Sequence, residues 1–189
     1  PAAASVASLM FATAASAQDN SVALPTIDIF GGNDGYQATN SSLIRMPVPL
    51  LSTPQTVNVV PQQVLQDQNI ATVKDALRNV AGITFGAGEG GNQGDTPYIR
   101  GFSAQNDVFR DGVRDPGWYT RDAFSIDSVE VFKGPSSILF GRGSTGGAIN
   151  LTSKAPRDRD FVDATLTGNT APGARATIDA NEIGRASCR

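Results

Sequence analysis

The sequence predicts an α+β fold, a small mixed sheet with short helices, followed by strands of a different character. Two observations carry this. Between residues 55 and 152, short β-branched or aromatic runs alternate with Gly and Asp-Gly turn signals, and helical periodicity is confined to two brief stretches. Beyond Pro156 the pattern becomes a strict period of two. Val162, Ala164 and Leu166 alternate with Asp163, Thr165 and Thr167, then Ala174, Ala176, Ile178 and Ala180 alternate with Arg175, Thr177, Asp179 and Asn181.

The elements follow in order. Residues 1–17 read as the back half of a truncated secretory signal peptide, with Val6, Leu9, Met10 and Phe11 ahead of Ala15-Ser16-Ala17. This apolar run falls short of the roughly 20 residues of a transmembrane helix. From Gln18 to Pro49 the chain is rich in Asn, Ser, Gly and Pro, and it is expected to be mobile. Its one apolar burst, Ile27-Asp28-Ile29-Phe30, alternates like a strand suited to joining another protein's sheet edge.

A globular unit is expected over 50–156. It starts with a strand, Gln55 to Val60, that Pro61 ends; Pro61 opens a short helix to Gln68. A second helix has Thr72 as N-cap and Asp75 three residues on. Val73, Ala76, Leu77 and Val80 lie on one face, and Gly82 is the stop. Ile83 to Phe85 resumes as a strand before a glycine-rich loop. Val108-Phe109 and Val113 flank Arg110-Asp111-Gly112, a tight hairpin signal, and Val129 to Phe132 is a further strand. Residues 157–181 form the alternating hairpin. The closing octapeptide, 182–189, breaks that pattern, holds the single cysteine, and reads as a non-native scar outside the fold.

Composition excludes function classes. The chain has no histidine, and with the scar set aside no cysteine, so the usual metal ligands and Ser-His-Asp or Cys-His arrangements are missing. Catalysis is therefore disfavoured. A net charge of −3 offers no basic footprint for nucleic acid. Gly141-Arg142-Gly143-Ser144-Thr145-Gly146 matches the dinucleotide fingerprint formally, but the period-two run Gly147 to Thr152 follows where a helix is required. The nucleotide reading is rejected in favour of turn glycines.

Taken together, Tyr98-Ile99-Arg100-Gly101-Phe102, Arg110-Asp111-Gly112-Val113-Arg114, Val129-Glu130-Val131-Phe132-Lys133-Gly134-Pro135, Phe140-Gly141-Arg142-Gly143 and Ser153-Lys154-Ala155-Pro156 resemble, in that order, the plug domain of TonB-dependent outer-membrane siderophore receptors. The resemblance implies a Gram-negative outer-membrane protein whose plug closes a barrel of roughly 22 strands. Residues 157–181 would be the first hairpin of that barrel. It further implies TonB and a ferric siderophore as partners, with no resident cofactor. Thr26, Ile27, Asp28, Ile29 and Phe30 stand where the family carries its TonB box. Arg100, Glu130 and Lys133 are charges inside apolar strand segments, each in need of a partner. In the family such plug cations face acidic residues of the barrel wall, and Lys133 stands where many relatives have Arg.

Three loops, Gly88 to Gln93, Ser103 to Asn106 and Gly117 to Arg121, fall where relatives contact the iron complex. That implies ligand roles for Glu89, Gln105, Asn106, Trp118, Tyr119 and Arg121. Arg110, Arg114 and Arg121 are matched by Asp107, Asp111, Asp115 and Asp122, so the bland reading of this run is mutual pairing. Trp118, Tyr119 and Arg121 lie away from the hairpin and are the preferred contacts. The Glu89-Gly90-Gly91 loop, the Arg110 to Asp115 element and the Gly141-Arg142-Gly143 turn are most similar to the catecholate-siderophore branch. Importers of hydroxamate siderophores, haem, cobalamin or carbohydrate are the nearer alternatives, and a secreted β-rich binding domain the remoter one.

Overall fold

The computed structural model describes residues 36–87, 94–143, 145–168, 170 and 173–184. The expected signal peptide, the Thr26 to Phe30 burst, Glu89 and residues 185–189 of the closing octapeptide lie outside them.

Five strands form the central sheet: β1 (Thr56–Pro61), β7 (Ile126–Lys133), β8 (Gly147–Ser153), β5 (Val108–Arg110) and β6 (Val113–Arg114), in that spatial order. β5 runs parallel to β8 and the other pairs are antiparallel, so the sheet is mixed. A second sheet joins β2 (Ile83–Phe85), β3 (Pro97–Ile99) and β4 (Phe102–Ser103). Two hairpins turn on the same device. Asp111 and Gly112 between β5 and β6, and Arg100 and Gly101 between β3 and β4, all have positive φ. That is the two-residue turn whose twist matches the strands.

The central sheet buries two different faces. On one, Val108, Val129, Val131, Ile149 and Leu151 pack against Leu65 of α1 (Gln62–Asp67) and against Val73, Ala76 and Leu77 of α2 (Val73–Leu77). Helices of six and five residues are too short to persist alone. Packing holds them, at about 1.5–3 kcal/mol for each fully buried Leu or Val. The Thr72 hydroxyl accepts from the Asp75 amide at 3.2 Å, as the capping pattern predicts, and Val80 is buried with the helix face. Pro61 closes β1 instead of following it.

On the other face, Phe109, Phe132, Ala148 and Phe140 of α3 (Ser137–Phe140) form a second cluster with Leu43 and Met46. This corrects the mobile reading of Gln18 to Pro49 in its last part, because Leu43 and Met46 are buried. The short α3, β3 and β4 were not separately predicted.

β9 (Phe161–Gly168) and β10 (Ala174–Asn181) pair antiparallel, with Val162 opposite Ala180, Ala164 opposite Ile178 and Leu166 opposite Ala176. One face is therefore wholly apolar and exposed, with Val162 73%, Leu166 79% and Ile178 70% accessible. The polar face looks back at the sheet domain. Lys154 Nζ meets Asp179 at 2.6 Å and Arg175 meets Asp122 at 2.7 Å. A cleft of about 720 Å³ lies between this face and α1, lined among others by Gln66, Asn69, Thr165 and Thr177. Among the described residues no helix is long and apolar enough to cross a membrane, a statement that does not bear on strands.

Candidate functional site

β6 leads into Asp115-Pro116-Gly117, a turn that presents Trp118 and Tyr119 and returns through Arg121 to the sheet. Trp118 is 61% and Tyr119 47% exposed. Gly94 lies so close to the backbone of these two residues that a Cβ there would stand 2.6 Å from the Trp118 carbonyl carbon. With φ at +75°, the position requires glycine twice over. The Asp95 amide donates to the Tyr119 carbonyl at 3.3 Å. Gly94 and Asp95, which follow the first predicted loop in sequence, therefore abut the third. Asn106 is exposed and Gln105 half-buried on the adjoining turn, anchored where the Ala104 amide donates to the Pro97 carbonyl. Gln105 Nε2 is buried without a hydrogen-bond partner.

Arg121, expected from the sequence as a preferred contact, is buried beneath the loop and partnered internally. Its side chain is 1% exposed. Nε donates to Asp115 at 3.0 Å, and the two terminal nitrogens donate to the carbonyls of Tyr119, Asp115 and Gly117. Asp95 lies 3.7 Å away and takes the Arg121 backbone amide at 3.0 Å, while the guanidinium carbon sits 4.5 Å from the Tyr119 ring centre. The Arg121 carbonyl accepts from the Val73 amide at the start of α2. This guanidinium holds the aromatic loop from beneath; its planar fork suits it to many acceptors at once.

Asp115 shows the balance of forces. Burial alone pushes its carboxyl up, but hydrogen bonds from Tyr119 and Arg121, with the Arg121 charge, hold it below the usual carboxylate range. The Tyr119 hydroxyl is raised, first by its hydrogen bond to Asp115. Asp122 is lowered chiefly by the hydrogen bond from Arg175, so the residue after Arg121 fastens the loop to β10. Asp107 is raised by burial, with Arg114 at 3.8 Å opposing weakly. The mutual pairing expected for this charged run thus holds for Arg121 with Asp115 and for Arg114 with Asp107. Asp122 instead reaches the hairpin, and Asp111 accepts from the Ser153 amide.

A second group of charges lies at the β3–β4 turn. Arg100 takes φ +51°, uncommon for a residue other than glycine, and projects its guanidinium beside Gly134. Lys133, next in chain to Gly134, is lowered by burial and then by the Arg100 charge. Among the described residues neither cation has an ion-pair partner.

Glu130, grouped with them from the sequence as a charge in need of a partner, lies apart from them and finds its partners within the domain. It is 1% exposed and accepts from Ser41 Oγ at 3.0 Å, the Ser42 amide at 2.6 Å and Asn150 Nδ2 at 3.3 Å. All its partners are internal. Asp95, Ser41, Ser42 and Asn150 are the residues that sequence reasoning missed, and no local signal marks them; Asp115 was expected as one of the acidic residues that balance the arginines of its run. Among the described residues no cluster of three acidic or other ligating side chains is placed to hold a metal ion.

A sequence model of the family described as TonB-dependent Receptor Plug Domain matches residues 49–148. The chain is 41% identical over 90% of its length to the probable TonB-dependent receptor BfrD of Bordetella pertussis, covering 23% of that protein. Among solved structures, the siderophore receptor PiuA of Acinetobacter baumannii matches with a TM-score of 0.75 and 40% identity, over 78% of this chain and 21% of that one. The ferric-catecholate import receptor Fiu of Escherichia coli K12, in its open form, matches with a TM-score of 0.73 and 36% identity, over 79% of this chain and 22% of that one. The chain thus spans less than a quarter of the length of the relatives named.

Proposed function

Because the chain belongs to the TonB-dependent receptor plug domain family, we propose that it forms the plug and first barrel hairpin of an outer-membrane receptor that imports ferric siderophores with energy from TonB. The observation that carries the reading is the polarity of β9–β10. Its apolar face is turned outward and its polar face is ion-paired to the plug, as a membrane barrel wall around a plug requires. Trp118 and Tyr119 offer the exposed aromatic surface for the cargo, with Gln105 and Asn106 as further candidate contacts and Glu89 assigned from the sequence alone. The likeness to Fiu favours ferric catecholates over hydroxamates, haem, cobalamin or carbohydrate.

Thr26 to Phe30 is assigned to TonB pairing and Arg100 with Lys133 to acidic groups of the barrel wall. Two adjacent cations without an anion among the described residues gain most from such a wall. No bond is made or broken in the cargo. The test is radioiron uptake from a ferric catecholate by cells carrying the intact receptor. Asp28→Pro removes a backbone donor and fixes φ in the TonB-pairing strand. Uptake is expected to fall to the level of cells without TonB, with cargo binding unchanged. Full uptake by the Pro variant refutes the assignment of the box, and TonB-independent uptake by the parent refutes the reading itself.

A further inference from the structure

The aromatic tip is held from three directions, and two of them lie inside the sheet domain. Arg121 clamps it from beneath, while Gly94 and Asp95 back it at the Trp118 and Tyr119 backbone. The third hold comes from β10. Asp122, next in chain to Arg121, accepts from Arg175 at 2.7 Å and from the Phe124 amide at 2.7 Å. Residues 121–123 are themselves laid like a strand along the start of α2. The Arg121 carbonyl accepts from the Val73 amide at 2.9 Å, the Ala123 amide donates to the Ala71 carbonyl at 3.0 Å, and Thr72 bridges Asp122. Whatever moves Asp122 therefore moves the root of the aromatic loop.

We propose that Arg175 of the hairpin is a positioning residue for the cargo: by holding Asp122 it fixes where Trp118 and Tyr119 stand, and so sets the affinity for the ferric siderophore from the wall. The inference rests on the reading of β9–β10 as barrel wall and of the aromatic tip as the cargo surface.

Three observations support it. The first is place. Asn181 pins the near end of the hairpin to the linker, accepting from the Arg157 amide at 3.2 Å and donating to the Arg157 and Arg159 carbonyls. Arg175 stands at the opposite end of β10, about 20 Å away along an extended strand, so it fastens the end remote from the linker. Second, the cleft of about 720 Å³ separates the hairpin from α1, with Phe124, Arg175 and Asp179 in its lining. The wall thus reaches the root of the loop through discrete side chains and not through a continuous packed face. The Lys154–Asp179 pair lies nearer the linker, with Lys154 Nζ 4.6 Å from the Phe124 ring centre. Third, the two charges answer each other. Asp122 is lowered first by the hydrogen bond from Arg175, and Arg175 is raised first by its hydrogen bond to Asp122. Both side chains are partly exposed, and such a pair adds little to global stability, so its effect is sought in the position of the loop and not in unfolding. Linkage makes that effect reciprocal: cargo seated on the tip tightens the Arg175 contact by the factor that the contact lends to cargo.

The test uses the intact receptor and a ferric dihydroxybenzoate complex. Arg175→Gln is expected to raise the dissociation constant about fivefold, the upper range for one exposed charge pair. Asp122→Asn keeps an acceptor for the Phe124 amide and is expected to do the same. The double variant is expected to bind no more weakly than either single one, and Arg175→Lys to return within about twofold of the parent. Maximal uptake at saturating cargo is expected to stay within about twofold throughout. Asp179→Asn, which loosens the same hairpin nearer the linker, is expected to leave binding within about twofold. A loss below twofold for Arg175→Gln overturns the proposal. So do additive losses in the double variant, and so does an equal loss for Asp179→Asn, which would make docking of the whole hairpin the cause. In hydrogen exchange without cargo, Arg175→Gln is expected to speed the Asp95 and Ala123 amides at least threefold, with Val131 within twofold of the parent. Unchanged exchange at those amides overturns the hold on the loop. A parent that binds no ferric catecholate overturns the cargo reading, and exchange then decides separately whether Arg175 positions the tip.

Discussion

Arg121 and Arg100 are both guanidiniums in a loop or turn of the same domain, and their surroundings are opposite. Arg121 is enclosed by Asp115, Asp95, three carbonyls and the Tyr119 ring, with nothing left to offer a partner from outside. Arg100 stands exposed at positive φ beside a second cation, with no anion among the described residues. The difference teaches that a cation in a predicted binding loop acquires its role from what the fold has already placed around it. A saturated guanidinium positions its loop. An unsaturated one is left to take a partner from outside the described residues, as proposed for the barrel wall.

The largest test of this contrast is Arg121→Ala. Removing one partner of a buried pair leaves Asp115 and Asp95 uncompensated, and a loss of about 3–5 kcal/mol is expected in denaturant unfolding of the chain. Arg121→Lys is expected to recover only part of it, since an ammonium cannot serve acceptors in a planar fork. A loss below about 1 kcal/mol would place Arg121 among ordinary surface residues.

Acid offers the next test. The Asp115 carboxyl is lowered in the fold, so its contribution is present above the unfolded carboxylate value near 3.9 and is lost as pH falls through the lower folded value. Unfolding followed from pH 6 to 2 is expected to show a loss of stability below about pH 4 that Asp115→Asn shrinks. An identical acid profile in the variant would contradict the clamp.

Thr72→Ala removes the cap of α2 just before Val73, whose amide donates to the Arg121 carbonyl. A cost of about 1 kcal/mol is expected from the denaturant midpoint. The smallest effect belongs to Arg100→Ala, within about 0.5 kcal/mol of the parent chain. Removing the neighbouring charge is also expected to raise the titration of Lys133 towards its ordinary value, readable by NMR of its side chain. A titration left in place would mean that burial alone lowers it.

Much of the fold was legible because it is local. Thr72 with Asp75, the Asp111-Gly112 turn and the alternation from Val162 to Asn181 are each written within a few residues, and each formed as predicted. The strand after Gly146 likewise displaced the nucleotide reading. The errors were of another kind. Arg121 is enclosed by Asp115 and the carbonyls of its own loop, with Asp95 joining from 26 residues away, and Glu130 is met by Ser41 and Ser42 from a distant part of the chain. Residues 40–49 read as mobile because Leu43, Ile44, Met46 and Val48, broken by Pro47 and Pro49, give no periodic signal. The burial of Leu43 and Met46 depends on a cluster assembled from β5, β7, β8 and α3.

The central claim is that the aromatic tip, not the cations, meets the cargo. It is tested most directly by the dissociation constant of a ferric catecholate for the intact receptor, measured for the parent, for Trp118→Ala and for Arg100→Ala combined with Lys133→Ala. The account predicts that losing the exposed Trp118 weakens binding roughly tenfold, as for an aromatic anchor at a contact surface. It predicts that losing both cations leaves the constant within twofold of the parent. Parent-like binding by Trp118→Ala, with binding lost in the double cation variant, would contradict it.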